Sequence, residues 1–581
     1  MKSFRLLTDY LRTNKKLYLL AVVLIIVSNG ILALLPKVLG EVTDGLKAGE
    51  LGQNGIVRYS LVLLAIAVSY GLCFGLGQFT IMKLGRRFEF LTRGRIFAQF
   101  SRLAEDFFSK QGTGKLLSYV MNDVTSVREA ISFGVTQTTN AVFMVISCIV
   151  MMLFSGIPLT LMLISVCPLV AIPFLVTYFG PRIRQRSMSV QENLASMTES
   201  ADEQIGGIRV TKTFAIEPTA QDRFGTSVEQ VKAAQLYLVR LSSLFQAVLP
   251  FLGALSLVVS LLLGGYMTLH EKMTLGSFVA LTFYLRMLTG PLQTIGNVIN
   301  MMQRSGASLD RVNRLLAEVP SVRDHENARP LRHVGSIEFD HLTFSYPGSE
   351  EYSLKDISFK IPQGHTVGLI GRTGSGKTTL AKLLLRIYEP PAGTIRVNHQ
   401  DITDVTLESL RRKIGYVPQD GFLFSTDIAD NIAFSDRSAG MDQVQIAASQ
   451  ALLLESVNSF PEGFQTRLGE RGVTLSGGQR QRASLARGLM KKPELLILDD
   501  SMSAVDAVTE SGILDNLVRE RTGKTTLIIA HRISSVQHAD EIIVLDQGRI
   551  AQRGTHEQLL HDPNGLYASL YRIQQEGLQH A

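Results

Sequence analysis

The chain has 581 residues, a length that predicts two or more domains. Hydrophobic residues make up 46% of it, which is high for a wholly soluble enzyme, and the net charge is +7. The charge suits cytoplasmic loops that face anionic lipid headgroups. No basic stripe with interleaved aromatic residues is present, so we expect no nucleic-acid partner. Cys73, Cys148 and Cys167 lie in apolar runs without metal-ligand spacing, which predicts buried free thiols.

The first part of the chain predicts a membrane domain. A basic segment, 1–16, precedes a charge-free run at 17–36 that is long enough to span a bilayer and lacks a convincing cleavage site. We therefore expect a retained first helix and a cytoplasmic N-terminus. Further apolar runs predict five more spanning helices. The run 130–181 is long enough for two, and only the last run contains a charge, Arg286. The runs are 59–82, 130–181, 241–269 and 273–303, so that a six-helix transmembrane domain occupies 17–304.

Two long segments between the spans, 83–129 and 182–240, are rich in Arg and Lys and keep helical patterning. The positive charge places both in the cytoplasm. The spanning helices are therefore predicted to continue beyond the membrane as long hairpins, with helix-breaking tips at 111–114 and 215–218. Arg286 interrupts the sixth span. It is either a functional charge facing a cavity or a side chain that snorkels near Pro291, and the sequence leaves both interpretations open.

A charged linker, 305–335, leads to a soluble domain predicted at 336–581. This domain contains the pattern G-x-x-x-x-G-K-[ST], from Gly371 to Thr378, between a predicted strand and a predicted helix. The glycines let backbone N–H groups surround a polyphosphate, Lys377 reaches the terminal phosphates, and Thr378 can hold Mg²⁺. The pattern in this setting predicts an ATP site.

Five further features accompany the phosphate loop. They are Tyr346, which can stack on adenine; Gln419 after a strand; Leu475–Gln479 at a helix start; Asp499 at the end of an apolar strand; and His531 after another strand. A helix N-terminus with serine and glycine favours an anion, and an acid at a strand end can hold Mg²⁺.

Together these motifs resemble the ATP-binding-cassette (ABC) domain, with Leu475–Gln479 as its signature. The six spans ahead of it resemble exporters of the multidrug-resistance type, and the resemblance covers almost the whole chain. The fold it implies is a polytopic α-helical membrane domain fused to an α/β P-loop ATPase domain. The implied ligands are ATP and Mg²⁺. The residues implied in nucleotide binding are Tyr346, Arg372, Thr373, Gly374, Ser375, Gly376, Lys377, Thr378, Thr379, Ser476, Gly477, Gly478, Gln479 and Asp506.

The resemblance also implies a mechanism. Thr378, Gln419 and Asp499 would hold the metal, and Asp500, His531 and Gln419 would act in hydrolysis. Two ATPase domains would dimerise head to tail, each ATP lying between one phosphate loop and the other domain's signature. A chain with one of each is a half-transporter that needs a second half-transporter. Regions near 111–123 and 214–224 match coupling helices, and 467–472 resembles an exporter-specific loop.

Asp500 departs from the family pattern, which has Glu at this position as the base that polarises the attacking water. The carboxylate remains, but it is one methylene shorter, a displacement of about 1–1.5 Å that can cost about 10²-fold in rate. An intact signature beside a weakened base resembles one subunit of a heterodimeric exporter. A slow homodimer in which Asp500 is a tolerated variant, or an engineered trap, is the alternative.

The sequence therefore predicts ATP-driven export of amphipathic compounds across the cytoplasmic membrane, with the ATPase domain in the cytoplasm and a second chain bearing Glu as partner. Two alternatives stay open: a homodimeric lipid or drug flippase, and a regulatory subunit that senses nucleotide with little transport of its own. Importers of this superfamily generally keep their ATPase and membrane chains separate, and six spans with one cassette exclude a soluble double-cassette factor.

Overall fold

The computed structural model describes residues 5–469, 472 and 475–579. The chain divides into two compact units. The membrane unit comprises the residues up to 101 together with 113–318, and the ATPase unit comprises 102–112 together with the residues from 319 onward.

Six helical segments of the membrane unit are long and apolar enough to cross a bilayer, as predicted. They are Lys15–Lys47, Gln53–Phe100, Thr113–Phe154, Leu159–Gly206, Glu217–Leu269 and Leu275–Ala317. All six are longer than the roughly 20 residues that a bilayer requires, so the helices extend past the predicted spans at their polar ends. The long hairpins expected from the helical patterning are therefore present.

The helices of this part of the chain are numbered in order. They are α1 Arg5–Thr13, α2 Lys15–Lys47, α3 Gln53–Phe100, α4 Glu105–Gln111, α5 Thr113–Ser118, α6 Val124–Glu129, α7 Val135–Phe154, α8 Leu159–Gly206, α9 Ile208–Thr213, α10 Glu217–Leu269 and α11 Leu275–Ala317. The third spanning segment runs through α5, α6 and α7 without a break, because π-helical turns at Tyr119–Asp123 and Ala130–Gly134 join them. Extra residues of this kind bulge a helix locally and are frequent at functional sites.

The helix break predicted at 111–114 is present at the first hairpin tip, but the separate short helix there does not cover 111–123. The separate short helix is α4, and the segment 111–123 expected to be a coupling helix forms mainly the start of the third spanning segment. Gly112 separates the two, since its φ of 71° is a left-handed conformation that ends α4. At the second tip, α9 ends before Ala215, whose φ is 52°, and α10 then begins at Glu217.

The structure also differs from two other expectations, the start of the linker and the burial of the cysteines. The segment 305–317, expected to be linker, is the last part of α11. Of the cysteines, Cys148 is buried as expected, but Cys73 is half-buried and Cys167 is exposed. An apolar run does not distinguish a core-facing thiol from one on a helix surface that faces lipid.

The ATPase unit contains two sheets. An antiparallel sheet has the strand order β2–β1–β4–β5, and a second sheet has the order β10–β9–β3–β8–β7–β6. The strands are β1 Ile337–Phe344, β2 Leu354–Ile361, β3 Thr366–Gly371, β4 Ile395–Val397, β5 Gln400–Asp401, β6 Ile414–Val417, β7 Leu495–Asp499, β8 Thr525–Ile529, β9 Glu541–Asp546 and β10 Arg549–Gly554. In the second sheet the strands from β9 to β6 are parallel, and β10 pairs antiparallel at the edge.

Helices complete this unit: α12 Lys377–Leu384, α13 Leu407–Lys413, α14 Ile428–Ile432, α15 Met441–Gln450, α16 Leu454–Asn458, α17 Gly477–Met490, α18 Ala507–Glu520, α19 His556–Leu560 and α20 Leu566–Gln579. Strands β7 and β8 are buried along their whole length, as near-continuous apolar runs in a parallel sheet should be. Apolar side chains pack on both faces of the sheet. Parallel strands bring their carboxyl ends to one edge, where ligands bind in such sheets.

Candidate functional site

The phosphate loop lies between β3 and α12, as predicted. Its backbone requires glycine at two turns. Gly376 has a φ of 98°, and a Cβ there would lie 2.6 Å from Leu354 Cδ2 and 2.7 Å from the Ser353 carbonyl oxygen. Gly374 has a φ of 81° and faces open space. The loop therefore folds as a tight turn ahead of the α12 N-terminus, where backbone N–H groups and the helix dipole favour a polyphosphate.

Lys377 is buried and directs its ammonium group into this loop. Its Nζ donates to the carbonyl oxygens of Gly371 at 2.8 Å and of Arg372 at 3.0 Å. Burial lowers its pKa, while Asp500 and Asp499 partly oppose that change. Thr373 and Ser375 complete the loop. A bound polyphosphate would replace the two carbonyl oxygens as the acceptor for this ammonium.

Asp499 and Thr378 meet at the metal position expected from the sequence. Thr378 Oγ1 donates to Asp499 Oδ1 at 3.0 Å, and Tyr416 donates its hydroxyl to Asp499 Oδ2 at 3.1 Å. Burial raises the pKa of Asp499, and the two hydrogen bonds lower it in part. A hydroxyl and a carboxylate at hydrogen-bond distance are hard oxygen donors that fit Mg²⁺, which keeps several waters and phosphate oxygens as its other ligands.

Asp500 and Gln419 face each other across neighbouring strand ends. Gln419 Nε2 donates to Asp500 Oδ2 at 3.2 Å, so the two predicted catalytic groups are in contact. Asp500 has a φ of 47°, and its backbone N–H donates to the Ile529 carbonyl oxygen at 2.8 Å. Because β6 and β7 are adjacent in the sheet, residues just beyond their ends come together.

His531 follows β8 and belongs to the same edge of the sheet. Partial desolvation lowers its pKa, and the positive charge of Lys377 acts in the same direction, while Asp500 and Asp499 oppose it. The imidazole is therefore neutral at pH 7 and can donate one hydrogen bond while accepting another. The electrostatic influence of Lys377, Asp499 and Asp500 on this imidazole shows that it lies near those groups.

Tyr346 lies beside the phosphate loop. Its hydroxyl is 3.0 Å from Thr379 Oγ1, and its ring centre is 5.0 Å from that of Tyr388 in an edge-to-face contact. The half-buried ring is thus held at both ends, by the hydroxyl contact and by an aromatic neighbour. This is a suitable support for a base stacked on its face.

The signature lies at the N-terminus of α17. Ser476 and Gln479 form a capping box, with Gln479 N–H donating to Ser476 Oγ at 3.3 Å and Ser476 N–H donating to Gln479 Oε1 at 2.9 Å. Gly477 and Gly478 open the helix, and a Cβ on Gly478 would lie 2.9 Å from the Ala504 carbonyl oxygen. The serine and the free helix N–H groups form an exposed anion site.

The structure does not bring the signature to this chain's own phosphate loop. Among the described residues, no hydrogen bond or ion pair joins Ser476–Gln479 to residues 371–378. Asp506 also lies apart from that loop: it caps α18 by accepting from the Thr509 N–H at 3.0 Å, which lowers its pKa. The exporter-specific loop predicted at 467–472 includes Glu470 and Arg471, which are outside the described residues.

The sequence analysis did not identify three side chains that make contacts around the candidate site. Tyr416 supports Asp499, as described above, and its place two residues before Pro418 on a strand was the available signal.

Gln481 accepts from the Ala504 N–H at 2.8 Å and donates to Ser503 Oγ at 3.0 Å, so it ties the signature helix to the segment after Asp500. Arg532 donates to the Val505 carbonyl oxygen at 3.2 Å and pairs with Glu510 at 3.1 Å.

Comparison with family models identifies both parts of the chain. Residues 18–292 match the ABC transporter transmembrane region, and residues 354–503 match the ABC transporter family model. The first match covers most of the membrane unit together with 102–112, and the second lies within the ATPase unit.

Relatives of the same overall size cover nearly the whole chain. The probable multidrug resistance ABC transporter ATP-binding/permease protein YheI of Bacillus subtilis is 36% identical, over 96% of this chain and 95% of the relative. The multidrug resistance-like ATP-binding protein MdlA of Escherichia coli is 31% identical, over 99% and 97%. The ATP-dependent lipid A-core flippase of Methylococcus capsulatus is 34% identical, over 89% and 86%.

A solved structure has the same arrangement. It is a bacterial Atm1-family ABC exporter with ATP bound, 26% identical in sequence, with a TM-score of 0.78 over 97% of this chain and 98% of that one. The family, the six-helix membrane domain and the ATP-binding domain predicted from the sequence are thereby confirmed.

Proposed function

Because the chain belongs to the ABC transporter family, we propose that it is one half of a heterodimeric exporter that moves amphipathic compounds out of the cell. In this proposal the N-terminus and the ATPase unit are cytoplasmic. A partner with Glu at the position of Asp500 supplies the second half. The multidrug names of two relatives support the substrate class.

The observation that carries the proposal is the contrast between two motifs. Asp500 has the shorter carboxylate, already in contact with Gln419, whereas the signature from Ser476 to Gln479 is complete and correctly capped. The signature makes no contact with its own phosphate loop in the described part of the chain. A second ATPase domain docked head to tail would therefore give two different composite sites.

In the site built on this chain's phosphate loop, the loop N–H groups and Lys377 bind the phosphates, and Tyr346 supports the base. Mg²⁺, when bound between Thr378 and Asp499, would neutralise charge on the β- and γ-phosphates. Asp500 and Gln419 then orient water, and neutral His531 donates a hydrogen bond to the terminal phosphate. The short reach of Asp500 makes this the slow site.

In the other site, this chain contributes Ser476 and the N-terminus of α17 to ATP held by the partner. The partner's Glu supplies the base, so this is the fast site. Closure around both nucleotides would move the helical hairpins and turn the cavity outward, and hydrolysis at the fast site would reset it.

The test is ATP-dependent efflux of a fluorescent amphiphile from inverted vesicles that contain this chain alone, or this chain with a Glu-bearing half-transporter. We expect slow ATP turnover and little transport by the chain alone, and both activities in the pair. Vigorous turnover by the chain alone would contradict the heterodimer. Nucleotide binding without transport in any pairing would favour the regulatory-subunit alternative.

A homodimeric lipid flippase is the second candidate, favoured by the lipid A-core flippase among the relatives. It predicts equal contributions from two identical sites, so the same vesicles containing only this chain would move a labelled lipid.

A further inference from the structure

The membrane unit contains a cavity of about 940 Å³, formed between the third, fourth, fifth and sixth spanning segments. This size is within the range that holds drug-sized ligands. Its apolar surface includes Phe133, Val176, Phe245 and Leu249, which lie on three different spanning segments. Such a surface would bury a hydrocarbon or ring system and alone would not distinguish one charge type from another.

Charged side chains line the same cavity. They are Glu129, Arg184 and Arg304. Arg184 Nη1 donates to Gln303 Oε1 at 3.1 Å, and this bond joins α8 to α11. Since Gln303 precedes Arg304 in the chain, the bond brings the two arginines to the same end of the cavity. Val176 lies eight residues before Arg184 on α8, about 12 Å along the helix.

The negative charge in this cavity is already compensated and the positive charge is not. Glu129 pairs with Arg128, whose Nη2 lies 3.2 Å from its Oε1. Arg128 also pairs with Glu89, but Glu89 has two further arginine partners, so three arginines face two carboxylates in this cluster. Within the described residues neither Arg184 nor Arg304 has a carboxylate partner, and the neutral Gln303 uses only one of the Arg184 donors. Each guanidinium therefore retains donors in a geometry that matches a carboxylate or a phosphate.

We propose that the preferred cargo is an amphipathic anion, whose carboxylate or phosphate binds between Arg184 and Arg304 and whose apolar part packs on the Phe133, Phe245 and Leu249 side of the cavity. This inference rests on the proposed export function and narrows it by charge. A cation would find its acidic partner, Glu129, held by Arg128. A neutral amphiphile would gain the apolar contacts alone.

Binding can be measured directly because the chain contains no tryptophan. The Phe245→Trp variant places one indole in the cavity, and its fluorescence reports a pyrene-labelled dodecyl probe by energy transfer. Three probes differ only in the end group: carboxylate, methyl ester and trimethylammonium. In neutral detergent we expect the carboxylate to bind about five- to tenfold more tightly than the ester, and the trimethylammonium probe more weakly than the ester.

Variants on the same background assign the effect. Arg304→Gln should remove most of the preference for the carboxylate without changing ester binding. Arg182→Gln is the matched control, because Arg182 is on the same helix as Arg184 but lies 3.7 Å over the Tyr178 ring and is not part of the cavity surface. If the carboxylate and the ester bind equally, or if the trimethylammonium probe binds best, the inference is wrong. This comparison of the three probes uses the Phe245→Trp chain alone, so it does not depend on whether the arginine variants fold.

Transport separates this inference from the proposed function. In vesicles with the partner, ATP-driven movement of the ester or the cation without preference for the carboxylate would refute only the charge selectivity. No ATP-driven movement of any probe would refute the export function. A two-chain phosphatidylglycerol probe beside the single-chain carboxylate shows whether the anion comes from a lipid headgroup or from a free amphiphile, and preference for either over its uncharged analogue supports the inference.

Discussion

Asp500 and Gln419 form the contact on which the chemistry of this chain depends. The amide already donates to the carboxylate at 3.2 Å, so a longer side chain at position 500 would reach further toward the γ-phosphate side of the loop. We predict that Asp500→Glu raises ATP turnover of the assembled transporter about ten- to hundredfold at the slow site. Steady-state phosphate release, with the partner's Glu changed to Gln to silence the fast site, measures this.

Asp500→Asn is the control, since it keeps the shorter length but removes the charge. It should leave turnover at the slow site at or below the level of the natural residue. Equal rates for Asp500→Glu and the natural chain would show that reach does not limit this site.

Asp499 carries a different conflict between stability and chemistry. Burial raises the pKa of Asp499 above its ordinary value of 3.8, so the folded chain favours the protonated carboxyl. The stability that this gives is complete below pH 3.8 and is lost as the pH rises through the raised pKa. At neutral pH its charge is therefore a cost in the nucleotide-free chain. Asp499→Asn should raise the thermal midpoint by a few degrees, corresponding to about 1 kcal/mol, while abolishing Mg²⁺-dependent hydrolysis.

Asp506→Asn provides the matched control for stability. Its carboxylate caps α18 and its pKa is lowered, so neutralising it should give no increase in the midpoint. Differential scanning fluorimetry without nucleotide measures both variants. A fall in the midpoint for Asp499→Asn would contradict the predicted cost of the buried charge.

At the residue scale, the motif pattern predicted the phosphate loop, and the family resemblance implied that Asp499, Asp500 and Gln419 serve one nucleotide site. These residues follow motif spacing and the ends of parallel strands. Tyr416 was missed because its hydroxyl reaches Asp499 only through the adjacency of β6 and β7, which are far apart in the sequence.

Among the secondary-structure elements, the short helix α4 was not predicted from the sequence, and its contacts connect it to the nucleotide site. Lys382 on the phosphate-loop helix α12 lies 2.6 Å from Glu105 at the start of α4. Lys382 also lies 5.7 Å from the centre of the Tyr388 ring, which contacts Tyr346. A chain of contacts thus runs from the hairpin tip to the residue expected to support adenine.

We predict that Glu105→Lys weakens the coupling of ATP turnover to transport several-fold, because the ion pair becomes a repulsion. The Lys382→Glu change should do the same, and the double variant should recover most of the loss. The ratio of probe molecules moved to ATP hydrolysed, measured for all four chains, gives the coupling energy as a double-mutant cycle.

Additive losses in the double variant would show that the two side chains act separately. Glu338→Lys with Lys360→Glu is the comparison pair: these residues are also 2.6 Å apart but lie on β1 and β2, away from the tip. Exchanging the charges of this comparison pair should leave the ratio of probe moved to ATP hydrolysed unchanged.

The positions of the six spanning helices were predictable, because a helix that crosses the bilayer needs an apolar run of about 20 residues. The π-helical turns were not predictable, since each depends on local backbone conformation within an otherwise helical pattern.

For the whole molecule, the proposed asymmetry of two composite sites gives the sharpest prediction. In the assembled heterodimer, Ser476→Ala in this chain should lower total ATP turnover at least tenfold, whereas Asp500→Asn should lower it less than twofold. The reason is that Ser476 serves the fast site and Asp500 the slow one, and removing one oxyanion-type donor costs about 10²-fold. Turnover of purified complexes measures both.

Loss of the helix cap alone must be separated from this effect, since Ser→Ala at a cap costs about 1 kcal/mol. Thr555→Ala removes the corresponding residue of the capping box on α19 and should leave turnover intact. Equal damage from Ser476→Ala and Asp500→Asn would favour a symmetric homodimer. The identity of the partner was beyond the sequence because the complementary surface belongs to another chain.

The positive φ of Asp500 has an evolutionary consequence. Left-handed backbone is costly for most side chains, but Asp and Asn tolerate it better than others because their short polar groups can hydrogen-bond locally. Glu at this position would carry backbone strain, which is expected to be retained only where the faster hydrolysis is needed. In the proposed heterodimer, where the partner performs hydrolysis, selection would not maintain that strain, and Asp at this position would give the more stable fold. The Asp500→Glu variant, which we expect to hydrolyse ATP faster, should therefore also unfold at a lower temperature.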